Sequence, residues 1–218
     1  MTLTLTGYRF SVYTRALRIA LAVKGATYDC VERDPFDPAD AEALGKVHPF
    51  GRVPALEDDG FRIYETAACL ELVAGMSGPS LLPSGLRAMV RMRQVISITD
   101  SYVYWPLIRG AVSETIFGPL EGATPDAARL AEGFAAAPRA LDALEAIAEE
   151  GLCLSGDALT LADCHLLPML DYFGHVPQGA DMIAARPALA HWLAASQARP
   201  EVAATRPDLG ALASREKA

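Results

Sequence analysis

His48-Pro49-Phe50-Gly51-Arg52-Val53-Pro54-Ala55-Leu56-Glu57-Asp58-Asp59-Gly60-Phe61-Arg62-Ile63-Tyr64-Glu65-Thr66, residues 48–66, holds the punctuation that decides the fold. Pro54 has no N–H to give to a ladder, so its place is the start of a strand. Pro54–Glu57 and Arg62–Tyr64 read as two short strands, with Asp58-Asp59-Gly60 between them as hairpin-turn chemistry. Thr66 follows as a helix N-cap, and Thr66–Ala74 has helical spacing. With a cis Val53–Pro54 bond, Val53 would turn its N–H and C=O sideways, where an extended peptide could pair with them.

Upstream, Leu3–Thr6 alternates like a half-buried strand. Ala16, Leu17, Ile19, Ala20, Leu21 and Val23 cluster at helical spacing over Arg15–Val23, and Lys24-Gly25 closes that helix. Tyr28–Glu32 reads as a second strand and Asp37–Leu44 as a short polar helix begun by Asp-Pro. The order βαβαββα predicts a mixed sheet with helices on its faces. Downstream, Gly75–Gly85 carries three glycines, two prolines and three serines, the composition of a linker. Beyond it Leu86–Phe117, Pro125–Glu150, Thr160–Phe173 and Pro187–Ala198 are long helical stretches. The predicted organisation is an α/β domain over 1–78, a linker over 79–85, an all-helical domain over 86–210 and a polar tail over 211–218.

Composition narrows the function. A formal charge of −8 argues against a general nucleic-acid binder, which needs a basic surface. No apolar run approaches the length of a membrane span, and the first residues lack the basic region of a signal peptide, so the expected location is the cytoplasm. Cys30, Cys69, Cys153 and Cys164 form no C-x-x-C pair, and His48, His165, His175 and His191 show no metal-ligand spacing. Reduced thiols and no metal are therefore expected.

Four local signals carry chemistry. Ser11-Val12-Tyr13-Thr14-Arg15 lies between the first strand and the first helix, where unpaired N–H groups favour an anion such as a thiolate. Bringing a thiol near neutrality takes roughly 2 kcal/mol of preferential anion stabilisation, within reach of one charge-assisted hydrogen bond from Ser11 plus the helix end. The alternative is that Ser11 or Thr14 only caps the helix. Residues 48–56 supply the peptide-pairing backbone. Glu65-Thr66 offers a carboxylate for an ammonium beside hydroxyl and N–H donors for a carboxylate; the alternative is a plain cap with a solvated glutamate. Thr160-Leu161-Ala162-Asp163 reads as a capping box with a folding role. Tyr102, Tyr104, Trp105, Ile108, Phe117 and Tyr172 give the helical half an aromatic stock for an apolar pocket or for its core.

Taken together, these segments resemble the glutathione transferase superfamily, particularly its serine-type classes (phi, zeta and theta). SVYTRALRIAL (Ser11–Leu21) looks like the family's active-site loop and first helix. HPFGRVPALEDDGFRIYETAA (His48–Ala68) resembles its asparagine-proline-x-glycine, valine-proline and glutamate-serine elements. LTLADCHLLPML (Leu159–Leu170) and RPALAHWLAASQARPEV (Arg186–Val202) are similar to the capping box and final helix of its C-terminal domain. The resemblance implies a thioredoxin-like N-terminal domain and an all-α C-terminal domain. It also implies transfer of glutathione's thiolate to a hydrophobic electrophile, with glutathione a co-substrate rather than a resident cofactor. Residue by residue, Ser11 becomes the thiolate-stabilising hydroxyl, with Tyr8 and Tyr13 as alternatives. Val53 becomes the backbone partner of glutathione's cysteine and Pro54 the cis-proline. Arg52, Glu65 and Thr66 become further glutathione contacts, Glu65 and Thr66 at the γ-glutamyl end. Tyr13, Tyr102 and Trp105 are the expected second-substrate pocket. The second helix lacks the histidine or lysine that members use for the glycine carboxylate, leaving Lys46 or Arg15 as substitutes. A homodimer is expected, with Phe50 either an apolar plug in the contact or a buried loop residue. Two rival functions remain: a glutathione-dependent thiol reductase or peroxidase, for which cysteine rather than a hydroxyl would be wanted at Ser11 or Thr14, and a non-catalytic glutathione-binding module.

Overall fold

The computed structural model describes residues 3–209, so Met1, Thr2 and the predicted tail 211–218 lie outside the described residues. The chain divides into two compact units, one running up to Leu82 and including Pro200–Pro207, the other spanning Pro83–Arg199.

In the first unit, β1 (Leu3–Gly7), α1 (Val12–Lys24), β2 (Asp29–Glu32), α2 (Ala41–Val47), β3 (Ala55–Asp58), β4 (Phe61–Tyr64) and α3 (Thr66–Gly75) follow the expected βαβαββα order. The sheet order is β2-β1-β3-β4, with β1 and β2 parallel and the other two pairings antiparallel. Asp59 and Gly60, at φ 46° and 87°, make the tight hairpin turn, the second taking glycine's left-handed freedom. The predicted polar helix divides in two. Asp37 caps a single 3₁₀ turn, Pro38–Asp40, by accepting from the Ala39 N–H (2.9 Å), and α2 continues from Ala41.

Helices α1 and α3 pack together, and Ala16, Leu17, Ala20 and Leu21 of the one and Leu70 and Val73 of the other are fully buried. The buried Lys24 ammonium at the end of α1 donates to Ala74 O and Met76 O (3.0 Å each), placing a cation on the carbonyl end of α3. Arg186–Val202, expected as one final helix, is interrupted. Its first part ends at Gln197, and a four-residue helix, Pro200–Ala203, belongs to the first unit. There Val202 is fully buried, and Thr205 accepts from the buried Arg15 Nε (3.4 Å).

The second unit is helical throughout: α4 (Leu86–Ile98), a π-helical continuation (Thr99–Phe117), α5 (Gly118–Leu120), α6 (Ala127–Glu149), α7 (Leu161–Gly174), α8 (Pro177–Ala184) and α9 (Pro187–Gln197). Every residue of α7 from Leu161 to Phe173 is buried, including Asp163, His165 and Asp171, which makes it the central helix of this unit. The predicted capping box starts it. Asp163 Oδ2 accepts from the Thr160 N–H (2.7 Å) and from its hydroxyl, and Oδ1 accepts from the Trp192 indole of α9 (2.6 Å). The π-helical segment and α6 meet glycine to glycine. A Cβ on Gly133 would lie 2.8 Å from Pro106 O and 3.0 Å from Gly110 backbone, so only glycine permits this approach.

Candidate functional site

Sheet register places the expected glutathione residues at one end of the first unit. Thr6 pairs with Ala55, and Ala55 with Tyr64, in one row across β1, β3 and β4. Going past that row, β1 leads through Gly7 to Ser11, β3 is entered from Val53-Pro54, and β4 leads to Glu65-Thr66. Ser11 and Val53, far apart in sequence, thus share one sheet edge with Glu65 because the hairpin is antiparallel and β1 runs against β3. Two helices, α1 and α3, begin at that edge and turn their unpaired N–H groups and positive dipole ends towards it.

The turn Tyr8–Ser11 is tightly made. Ser11 N–H donates to Tyr8 O (2.9 Å), and Tyr8 N–H donates to the buried Thr14 hydroxyl (3.2 Å). Gly7 is required here, since a Cβ would lie 2.3 Å from Thr14 Cγ2. Ser11, half-buried at φ −72° and ψ 125°, is the N-cap of α1, its Oγ accepting from Thr14 N–H (3.2 Å). Capping and chemistry are compatible: the cap uses a lone pair and leaves the hydroxyl proton to donate elsewhere. Tyr8 is 4% exposed and packs edge-on against Phe10 and Phe36 (5.4 and 6.3 Å between ring centres), whereas Tyr13 is half-buried in the first turn of α1.

The Val53–Pro54 peptide is cis. Val53 is buried, and its N–H and C=O form no backbone hydrogen bond among the described residues. The loop ahead of it is closed by a turn in which Gly51 N–H donates to His48 O (2.9 Å), Gly51 standing at φ 60°. Arg52 is exposed. Arg62 ties the ends of the loop together, its guanidinium donating to Lys46 O (2.8 Å) at the end of α2 and to Glu57 Oε2 (2.6 and 2.9 Å) in β3. Burial pushes the His48 imidazole below its ordinary value, against an opposing pull from Glu65, while Arg52 adds to the depression.

At the third corner the cap differs from expectation. Glu65, not Thr66, is the N-cap of α3, and Thr66 is the buried first helical residue. The cause is the backbone of Glu65, which stands at φ 69° and ψ 119° and turns the chain into the helix one residue early. Its exposed carboxylate makes no cap hydrogen bond. Of the two cations left for a glycine carboxylate, Arg15 is 1% exposed, and Lys46 is exposed and paired with Glu42 (2.7 Å). In the helical unit Tyr102 and Trp105 are 66% and 64% exposed, so neither is core, while Ile108 and Tyr172 are buried. Sequence reasoning missed Arg62, His48 and the strain at Glu65. The arginine was visible only as a strand residue, and nothing local signals a positive φ at glutamate.

A thioredoxin-like sheet with a serine-capped helix start, a cis-proline loop and a glutamate-led helix defines the class. Comparisons agree: residues 1–75 match the N-terminal domain of glutathione S-transferase and residues 127–195 its C-terminal domain. The chain is 31% identical to glutathione S-transferase F6 of Arabidopsis thaliana over 89% of its own length and 94% of the relative's. Against glutathione S-transferase 3 of Zea mays it is 32% identical over 71% and 70%. The apo structure of glutathione S-transferase III superposes with a TM-score of 0.81 at 27% identity, covering 94% of this chain and 95% of that one. A glutathione S-transferase from Rhodospirillum rubrum gives 0.77 at 26% identity, covering 95% and 93%. The chain belongs to the glutathione S-transferase family. It is an enzyme, and its reaction is conjugation of glutathione to an electrophile.

Proposed function

We propose that glutathione lies across the sheet edge where α1 and α3 begin, with its thiolate at Ser11, its cysteine backbone on Val53 and its γ-glutamyl end at Glu65 and Thr66. The observation that carries this reading is the register row Thr6–Ala55–Tyr64, which brings three sequence-distant segments to one edge. Ser11 donates a hydrogen bond to the thiolate, keeping its proton, while its lone pair caps α1, and the helix end adds positive potential. Tyr8 is the weaker candidate because its ring is packed among Phe10 and Phe36. The exposed Arg52 guanidinium serves a glutathione carboxylate. Lys46 is the better placed of the two substitutes for the glycine end, since Arg15 is buried.

The second substrate is a hydrophobic electrophile, for which the second unit offers the exposed rings of Tyr102 and Trp105. The enzyme works as a cytoplasmic homodimer with no permanently bound cofactor, Phe50 being the apolar plug; that ring is 68% exposed in the single chain. Among the described residues no helix is long and apolar enough to cross a membrane.

Steady-state turnover of glutathione with an aromatic halide, set beside retention on immobilised glutathione, tests the proposal. Conjugation with retention is expected. Retention without conjugation of any hydrophobic electrophile would contradict the catalytic assignment of Ser11.

A further inference from the structure

We infer that His48 is a positioning residue for the glutathione loop, and that only its neutral imidazole holds the Pro49–Gly51 turn, so glutathione affinity falls in acid. The inference rests on the glutathione site proposed above. His48 is the C-cap of α2, its N–H donating to Leu44 O (2.8 Å), and its carbonyl accepts the Gly51 N–H that closes the turn. Its side chain serves the same turn from inside, with Nδ1 accepting the Phe50 N–H at 3.3 Å. This is the arrangement by which a short polar side chain imitates a backbone turn two residues on. The ring cannot simply swing away. It is 3% exposed, and it packs against Tyr64 (5.1 Å between ring centres) and Phe50 (5.9 Å), which also touch each other edge-on (6.3 Å).

An imidazole that accepts at Nδ1 carries its proton on Nε2. A second proton would go onto Nδ1, where it would face the Phe50 N–H. Two donors would then meet, the turn would lose its inner hydrogen bond, and a cation would be buried. Arg52 and Val53 come directly after that turn, so the disturbance reaches the loop that grips the peptide backbone. The charged groups acting on the ring are Glu65 at the start of α3, which favours protonation, and Arg52 in the loop, which opposes it. Tyr64 is the group packed on it from β4, while Lys46 on α2 is engaged by Glu42 and Arg62 on β4 by Glu57. Burial is the largest influence and holds the imidazole below its ordinary value. The sign follows: a loop that requires neutral His48 binds fully above that depressed value and loses affinity as pH falls through it.

Calorimetry with S-methylglutathione, which has no thiol to titrate, reads this directly at pH 7.5 and pH 5.0. The ligand's carboxyls titrate below this window. Wild type should bind measurably more weakly at pH 5.0 than at pH 7.5, the direction expected from linked protonation of one group. His48→Asn, which keeps a turn acceptor that does not titrate, should lose markedly less. Equal losses in both proteins would overturn the role of His48 and leave the glutathione site standing. Failure of wild type to bind at pH 7.5 would overturn that site and this inference together. Should His48→Asn misfold, an NMR titration of His48 in wild type decides: its pKa should drop when S-methylglutathione is bound, and an unchanged value overturns the inference.

Discussion

Glu65 stands at φ 69° and ψ 119°, a backbone region that a side chain with a Cβ occupies only at a cost of about 1–3 kcal/mol. Its carboxylate neither caps α3 nor lies buried, so the fold draws no return from it there. In the proposed glutathione site the strained turn has a use instead: it sets a carboxylate beside the N–H groups of a helix start, an acceptor next to donors, as an α-amino-acid end requires. Glycine would suit the backbone and abolish the acceptor, which separates the two roles. Glu65→Gly is expected to raise folding stability by roughly 1 kcal/mol, strain relief outweighing the entropy of glycine. It should also weaken glutathione by about 1.5–3 kcal/mol, the range for a charged hydrogen bond. Urea unfolding and calorimetry measure the two effects. Cysteinyl-glycine, lacking the γ-glutamyl group, should bind both proteins alike, and an equal loss for both peptides would show that Glu65 only supports the loop.

Elements were legible where a periodic run met a recognisable end. The hairpin was fixed by Pro54 and Asp59-Gly60, and α7 by Thr160 and Asp163. Errors arose where local pattern and tertiary demand part. Helix α1 begins at Val12, ahead of its apolar periodicity, because Ser11 caps it and Val12 already packs inside. Helix α8 and the four residues Pro200–Ala203 are too short to show a period, whereas α9, expected over Pro187–Ala198, ends at Gln197. The capping box proves richer than its motif, since the same carboxylate also accepts from the buried indole of Trp192. Asp163→Ala would remove the cap and strand that N–H, so the expected destabilisation is about 2 kcal/mol or more in urea unfolding. Folded mutant should keep its glutathione affinity; lost affinity at unchanged stability would mark Asp163 as a site residue.

At the scale of the whole molecule, a chain of net charge −8 has to hold an anionic tripeptide against its own field. In the proposed site the means are local: two helix starts, one exposed arginine and a serine hydroxyl on one sheet edge. The residues of the proposed site, Ser11, Val53-Pro54 and Glu65-Thr66, are legible in the sequence only in combination, each alone being open to a plain capping or loop reading. What brings them together is not legible there, since register is a property of pairing between distant strands. The homodimer is testable by sedimentation, with about twice the 23.2 kDa chain mass expected at micromolar concentration and a monomer counting against it. The most direct test of the central claim is a thiolate absorbance titration of bound glutathione in wild type, Ser11→Ala and Tyr8→Phe. A higher thiol pKa is expected in Ser11→Ala and little change in Tyr8→Phe; a shift confined to Tyr8→Phe would contradict the role of Ser11.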